Sequence, residues 1–267
     1  VIFTLASHHL CLGATGAGKT TFLSQLSIDL MQDYVPSEPT EKHDKTDIPR
    51  YGLRTLWGSF EIKRSRLLYN MLYQQCGIDT LHRSVGTGAY DLVLGTPSES
   101  IDYAKLDASA KELCKLPLYF LKYFGSEDIS NILESMAFAV HAYKIEHIIL
   151  DNLQFMINDA MSSGANFDKY FEMDRAIHLL RKFATTHDVH ITLVIHPRKE
   201  TDGDKLSLSS FYGSGKATQE SDNVWIIQRD KNNQKTVDVK KNRFSGTLGS
   251  VPLIFAEPFK IFLEQDC

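Results

Sequence analysis

The sequence has little of what would tie it to metal, membrane or disulfide chemistry. It carries four cysteines in 267 residues, Cys11, Cys76, Cys114 and Cys267. None forms a CxxC pair or sits in a Cys/His cluster, so a zinc site is not expected, and scattered thiols of this kind suit a reducing compartment. No apolar run approaches the roughly 20 residues that a bilayer span needs. There is no excess of positive charge either: 29 Lys and Arg stand against 33 Asp and Glu, a net charge of −4 with His neutral. That excludes a global basic field, so any contact with nucleic acid must be made by local loops. Internal repeats and low-complexity tracts are lacking. The chain starts at Val1 without an initiator Met or a cleavable leader pattern and is expected to be a fragment of a longer protein.

What is present suits one large α/β domain spanning residues 1–267, with 43% hydrophobic residues to build a core. Short apolar runs alternate with amphipathic segments, the pattern of a mostly parallel sheet flanked by helices. Leu10-Cys11-Leu12 is expected to end a first strand, and further strands are expected at 54–61, 118–121, 147–151 and 190–196. Helices are expected at 19–31, 62–75, 104–113, 129–142 and 173–186. Residues 33–50 hold Pro36, Pro39 and Pro49 among charges and read as an exposed loop. Residues 77–115 are the least legible. Beyond position 200 the pattern changes to strands joined by turns, at 223–229, 236–241 and 251–255. They imply an antiparallel C-terminal extension of the sheet.

Gly13-Ala14-Thr15-Gly16-Ala17-Gly18-Lys19-Thr20 fits GxxxxGK[ST] at each fixed position and lies between an apolar strand and an apolar-periodic helix. Glycines let backbone N–H groups close in on phosphate oxygens, and the helix start adds a positive dipole end. Lys19 is expected on the β- and γ-phosphates of ATP or another nucleoside triphosphate, Thr20 on Mg²⁺, and Thr21 beside them.

Three more polar residues close buried strands. Asp151 ends Ile148-Ile149-Leu150, the Walker-B pattern, and is a candidate Mg²⁺ ligand; a helix-capping Asp is the alternative. Glu61 follows Leu56-Trp57-Gly58-Ser59-Phe60 and is a candidate to activate the attacking water; a first-turn Glu facing a helix dipole is the alternative. His196 ends Ile191 to Ile195 and could sense the γ-phosphate or be an ordinary, partly buried histidine. In a parallel α/β sheet these strand ends share one rim, where ligands gather.

The wording around these residues resembles a known family. Thr55-Leu56-Trp57-Gly58-Ser59-Phe60-Glu61-Ile62 is similar to the catalytic-glutamate segment of the Twinkle-like mitochondrial replicative DNA helicases, which group with phage primase-helicases. Ile149-Leu150-Asp151-Asn152-Leu153-Gln154-Phe155-Met156 resembles their Walker-B segment, and Thr192-Leu193-Val194-Ile195-His196-Pro197-Arg198-Lys199-Glu200 their sensor segment. Lys241-Asn242-Arg243-Phe244, with Gly246, resembles their arginine-finger segment. The sequence departs from the family at 1–9 and 86–100, and in the length of 33–50.

The resemblance implies a RecA-like P-loop ATPase fold and rings of six or seven copies with nucleotide sites between subunits. It also implies 5′-to-3′ unwinding and an N-terminal primase-like region outside this chain. Implied partners are single-stranded DNA and replication forks, a replicative polymerase and a single-strand-binding protein; the implied location is the mitochondrial matrix nucleoid. It makes Arg243 a finger acting on a neighbouring subunit's γ-phosphoryl group, with Lys241 at the same interface. It places a DNA-contacting loop near Gly213, Gly215, Lys216 and Gln219, with Arg198 and Lys199 also facing the channel. It pairs Arg229 with Phe255 around the nucleotide base. The rival readings are a RecA-type or clock-type oligomeric ATPase that does not unwind DNA, and a small-molecule P-loop kinase.

Overall fold

The computed structural model describes residues 5–32, 52–83, 103–156, 166–197, 205–210, 216–229 and 234–265. In chain order the elements are β1 (His8–Gly13), α1 (Lys19–Met31), β2 (Thr55–Ser59), α2 (Arg64–Arg83), α3 (Tyr103–Leu113) and β3 (Leu118–Phe120). Then come α4 (Ile129–Tyr143), β4 (His147–Asp151), α5 (Leu153–Met156), α6 (Asn166–His187) and β5 (His190–Ile195). After a 3₁₀ turn (Leu208–Ser210) follow α7 (Lys216–Glu220), β6 (Asn223–Arg229), β7 (Lys235–Asn242), β8 (Gly249–Ala256) and β9 (Ile261–Glu264).

Successive residues of a strand point to opposite faces, and the core divides accordingly. Leu10, Leu12, Leu56, Ile148, Leu150, Ile191, Leu193, Val224 and Ile226 belong to one apolar cluster, which α4 and α6 cover with Ile132, Met136, Ile177 and Leu180. Their neighbours Cys11, Trp57, Ile149, Val194, Trp225 and Ile227 belong to another, covered by α1 and α2 through Leu23, Ile28, Leu67 and Met71. Strands apolar on both faces need helices on both, and that requires the parallel arrangement. The buried Trp57 indole N–H donates to Ser27 Oγ at 3.2 Å, so even this large core residue leaves no donor unmet.

Among the described residues the sheet has nine strands in the order β3-β2-β4-β5-β1-β6-β7-β8-β9. The pairs from β3 through β6 are parallel, and β6 to β9 are antiparallel. β1 lies in the middle, between β5 and β6, so the turn that leaves it opens on the carboxyl rim between strands entering from different parts of the chain. Gly13 ends β1 where a side chain would not fit: a Cβ there would stand 2.6 Å from the Ile227 carbonyl oxygen.

The elements differ from the sequence expectation in extent. α2 runs through Gly77 to Arg83, and α6 begins at Asn166, seven residues before the expected start. Gly77 survives inside α2 because its Cβ would be 2.7 Å from that of Phe259 on the β8–β9 turn; the close approach outweighs the helix penalty. β1 runs from His8 to Gly13, one residue past the expected end at Leu12. β9, α5 and α7 were not expected. The loop expected at 33–50 lies outside the described residues.

Candidate active site

The carboxyl ends of β1, β2, β4 and β5 bring five of the expected residues together. α1 starts at Lys19 with Gly18 as its N-cap and no side-chain cap, so its first-turn amides remain open to phosphate oxygens. Lys19 is buried. Its Nζ donates to the carbonyls of Gly13 at 2.6 Å and Ala14 at 2.9 Å, and lies 3.3 Å from His196 Nδ1. Thr20 Oγ1 donates to Asp151 Oδ2 at 2.5 Å. Burial pushes the Asp151 carboxyl up to about 6, Thr20 and Lys19 oppose that, and Glu61 adds to it.

Glu61 sits two residues past β2. Its Oε2 accepts from the Asn152 amide and lies 3.4 Å from His196 Nε2. Asn152 Nδ2 is also 2.8 Å from that ring nitrogen. A neutral imidazole has one lone pair for two donors, Lys19 and Asn152. His196 Nδ1 faces the Lys19 ammonium, and Nε2 faces both Asn152 and Glu61. His196 thus joins the lysine of the phosphate loop to the candidate base. Gln154 holds it in place: its side-chain oxygen accepts from His196 N and its amide donates to His196 O, each at 3.2 Å.

A family model described as an AAA domain matches residues 3–202. The chain belongs to that family. The replicative DNA helicase DnaB of Treponema pallidum (strain Nichols) is 23% identical to this AAA domain over 219 residues, covering 80% of the chain and 45% of that protein. The chain therefore spans under half the length of this curated relative. A DnaB-like replicative helicase, whose structure was described with its interactions with primase, superimposes with a TM-score of 0.71 at 15% identity, over 99% of this chain and 60% of that one. A second solved structure, described as an ATPase domain, gives 0.69 at 14% identity, over 99% and 86%. At such identities the two structures speak for the fold, a RecA-like helicase ATPase sheet with an antiparallel C-terminal extension.

The remaining site residues of the AAA domain lie elsewhere. Arg243 follows β7, and its N–H donates to the Asp222 carbonyl at 3.0 Å. Asp222 precedes Asn223, which is in register with His9 at the start of β1, whereas Ile227 pairs with Gly13 beside the phosphate loop. Four residues of strand, about 13 Å, separate the two levels, so Arg243 belongs to the opposite rim and faces away from its own nucleotide site. Lys241 donates to the carbonyls of Thr218, Gln219 and Ser221 at 2.6, 3.2 and 2.6 Å, closing the C-terminal end of α7. The expected DNA loop is in part helical: Lys216 opens α7, and Gln219 is exposed on it. Arg198, Lys199, Gly213, Gly215 and the Lys216 side chain lie outside the described residues.

Arg229 ends β6, and Phe255, its expected partner around the base, lies on β8, two strands away. The cation over the Phe255 ring is Lys235, 4.1 Å from the centroid, and the same ammonium is 4.9 Å from that of Phe262. Arg229 is opposite Lys235 on the next strand. This shelf borders the phosphate loop: a Cβ on Gly18, whose φ is +99°, would meet Phe262 Cζ at 3.0 Å. Gln25 ties the shelf to α1 through both backbone groups of Phe262, at 2.6 and 2.9 Å. Sequence reasoning also missed Asn152 and Gln154, although both stand in the quoted Walker-B segment; an amide within three residues of a strand-end Asp was the available signal.

Proposed function

We propose that this AAA domain is the motor of a DnaB-like replicative DNA helicase of the Twinkle-like branch. It would hydrolyse nucleoside triphosphate between subunits of a hexameric or heptameric ring and move 5′ to 3′ on single-stranded DNA. The observation that carries this is the separation of two half-sites. The Lys19, Thr20, Asp151, Glu61 and His196 group is on the carboxyl rim, and Arg243 is at the level of the opposite one. An arginine so placed reaches a triphosphate only in another copy, which makes a ring the natural working unit.

The Thr20 hydroxyl and the Asp151 carboxylate are adjacent hard oxygen donors, a set that fits Mg²⁺. Bound there, Mg²⁺ supplies charge neutralisation on the β- and γ-phosphates. Lys19 exchanges its hold on the Gly13 and Ala14 carbonyls for phosphate oxygens. Glu61, held by Asn152, accepts the proton of the attacking water. His196 answers the departure of Lys19 through the same imidazole that faces Glu61, which makes it the reporter of the γ-phosphate. The Phe255, Phe262 and Lys235 shelf carries the base, and α7 with the segment before it touches DNA. The full-length protein would act in the mitochondrial nucleoid, alongside a polymerase and a single-strand-binding protein.

Strand displacement on a forked duplex tests the reading, with intact-particle mass measured in ATP analogue and single-stranded DNA. ATP-dependent unwinding from a 5′ tail by a six- or seven-membered particle is expected. DNA-stimulated hydrolysis in a confirmed ring with no displaced strand would favour a RecA-type or clock-type ATPase instead.

A further inference from the structure

Asp222 is a buried carboxylate with two guanidinium partners. Arg181, from α6, bonds Oδ2, and Arg243 Nη1 lies 3.4 Å from Oδ1. The backbone around the carboxylate is fully engaged: His8 N donates to Oδ2 at 3.0 Å, Asp222 N donates to His8 O at 2.8 Å, and Arg243 N to Asp222 O. Asp222 therefore cannot move. Its two partners differ. The Arg181 side chain is 26% exposed and the Arg243 side chain 61%. Lys241 stands close by with its charge committed to the α7 carbonyls. Arg181 is held below the usual guanidinium range by burial and then by Arg243, and Lys241 is lowered by burial, Arg243 and Arg181.

We infer that Arg181 is a positioning residue, a resident counter-ion for Asp222 that sets Arg243 free to reach a neighbouring protomer's nucleotide. This rests on the trans-arginine reading above. If Arg243 alone neutralised Asp222, its departure would strand a buried charge, and the ion pair would hold the finger at home. With Arg181 in place, Asp222 stays paired through the whole stroke. Arg243, repelled by two cations and mostly exposed, leaves at little cost. The second guanidinium is what turns a structural ion pair into a releasable one.

The test is steady-state ATPase of confirmed oligomers with single-stranded DNA. Arg181→Gln should lower kcat by about tenfold with KM for ATP unchanged, since the finger acts in the transition state and not in nucleotide binding. Adding Asp222→Asn to it should restore kcat, because the amide keeps the acceptor for His8 N but no longer grips Arg243. A purely structural Arg181 predicts the reverse, a double variant worse than either single one. Asp222→Asn alone, which needs no assembly by the Arg181 variant, should match or exceed wild-type kcat; a fall to the level of Arg243→Ala would overturn the inference. So would wild-type kcat in Arg181→Gln. Arg243→Ala is run beside them. A slow Arg243→Ala with normal Arg181→Gln removes only the role of Arg181, whereas a normal Arg243→Ala removes the finger itself.

Discussion

Glu61 shows how little of a candidate catalytic residue's environment is local. Its Asn152 amide comes from the end of β4 and its imidazole neighbour from the end of β5, 91 and 135 positions away in the chain. Those partners fix its carboxylate without neutralising it. Glu61→Gln keeps the shape and the Asn152 contact but cannot take a proton. Turnover per bound nucleotide should fall by about a hundredfold or more, with nucleotide and Mg²⁺ affinity retained in equilibrium titration. Lost affinity at unchanged turnover would make Glu61 a structural residue. The strand-end position of Glu61 was legible in the sequence. The roles of Asn152 and Gln154 were not, because amides this close to a β-strand are far more often turn formers than clamps.

At the scale of elements, α7 and β7 behave as one piece. Lys241 donates to the α7 carbonyls of Thr218 and Gln219 and to that of Ser221 just beyond, and Arg243 follows two residues later. A helix of five residues has too few internal bonds to be stable alone, so β7 supplies what α7 lacks and ties it to the turn that carries Arg243. Lys216→Ala, at the start of α7, should weaken single-stranded DNA binding and reduce its salt slope by about one counterion, roughly 0.7 in log K against log salt. Nucleotide affinity should hardly change. An unaltered slope in a fluorescence titration would take α7 off the DNA path. Helix existence here was hidden from sequence because short helices carry no usable period. The extension of α2 past Gly77 was hidden because only the tertiary approach of Phe259 explains the glycine.

At the scale of the molecule, stability and assembly pull on different features. His8, His9, His147 and His190 are all buried at the starting ends of β1, β4 and β5, with His9 and His190 rings 4.1 Å apart. Burial, then Arg181 and His190, hold His8 down at about 3; His9 and His147 are also held well below the usual histidine range. These groups are neutral when folded and take protons when unfolded. Their share of stability is complete above about pH 6.5, the unfolded histidine value, and is lost as pH falls toward 3. Asp151 runs the other way, its raised carboxyl favouring the folded state as pH drops from 6 to 3.8. The histidines outnumber it. His8 alone contributes a loss of about 2 kcal/mol by pH 5, so denaturant midpoints should fall steadily from pH 7 to pH 5. A flat profile would show the cluster already open to solvent. For assembly, a mixture of Arg243→Ala and Lys19→Ala protomers should regain ATPase that neither has alone, once mass measurement shows mixed rings. On the proposed mechanism, only interfaces pairing an intact phosphate loop with an intact Arg243 fire. Recovery that tracks neither mixing ratio nor mixed assembly would count against action in trans.

The sequence by itself determined the sheet and the residues that line its rim. A phosphate loop must lie between a strand and a helix to work, so GATGAGKT placed β1, α1, Lys19 and Thr20 at once. The doubly apolar strands closed by Glu61, Asp151 and His196 required a buried parallel sheet with one polar rim. The antiparallel extension was legible too, through its turns. Tertiary structure alone decided which strand lies beside which, and with it every contact that crosses the chain. It put Lys235 over the Phe255 ring, gave Asp222 two arginines, and set four histidines in the core. Strand order depends on which apolar faces pack best together, a sum over the whole core that no local pattern contains.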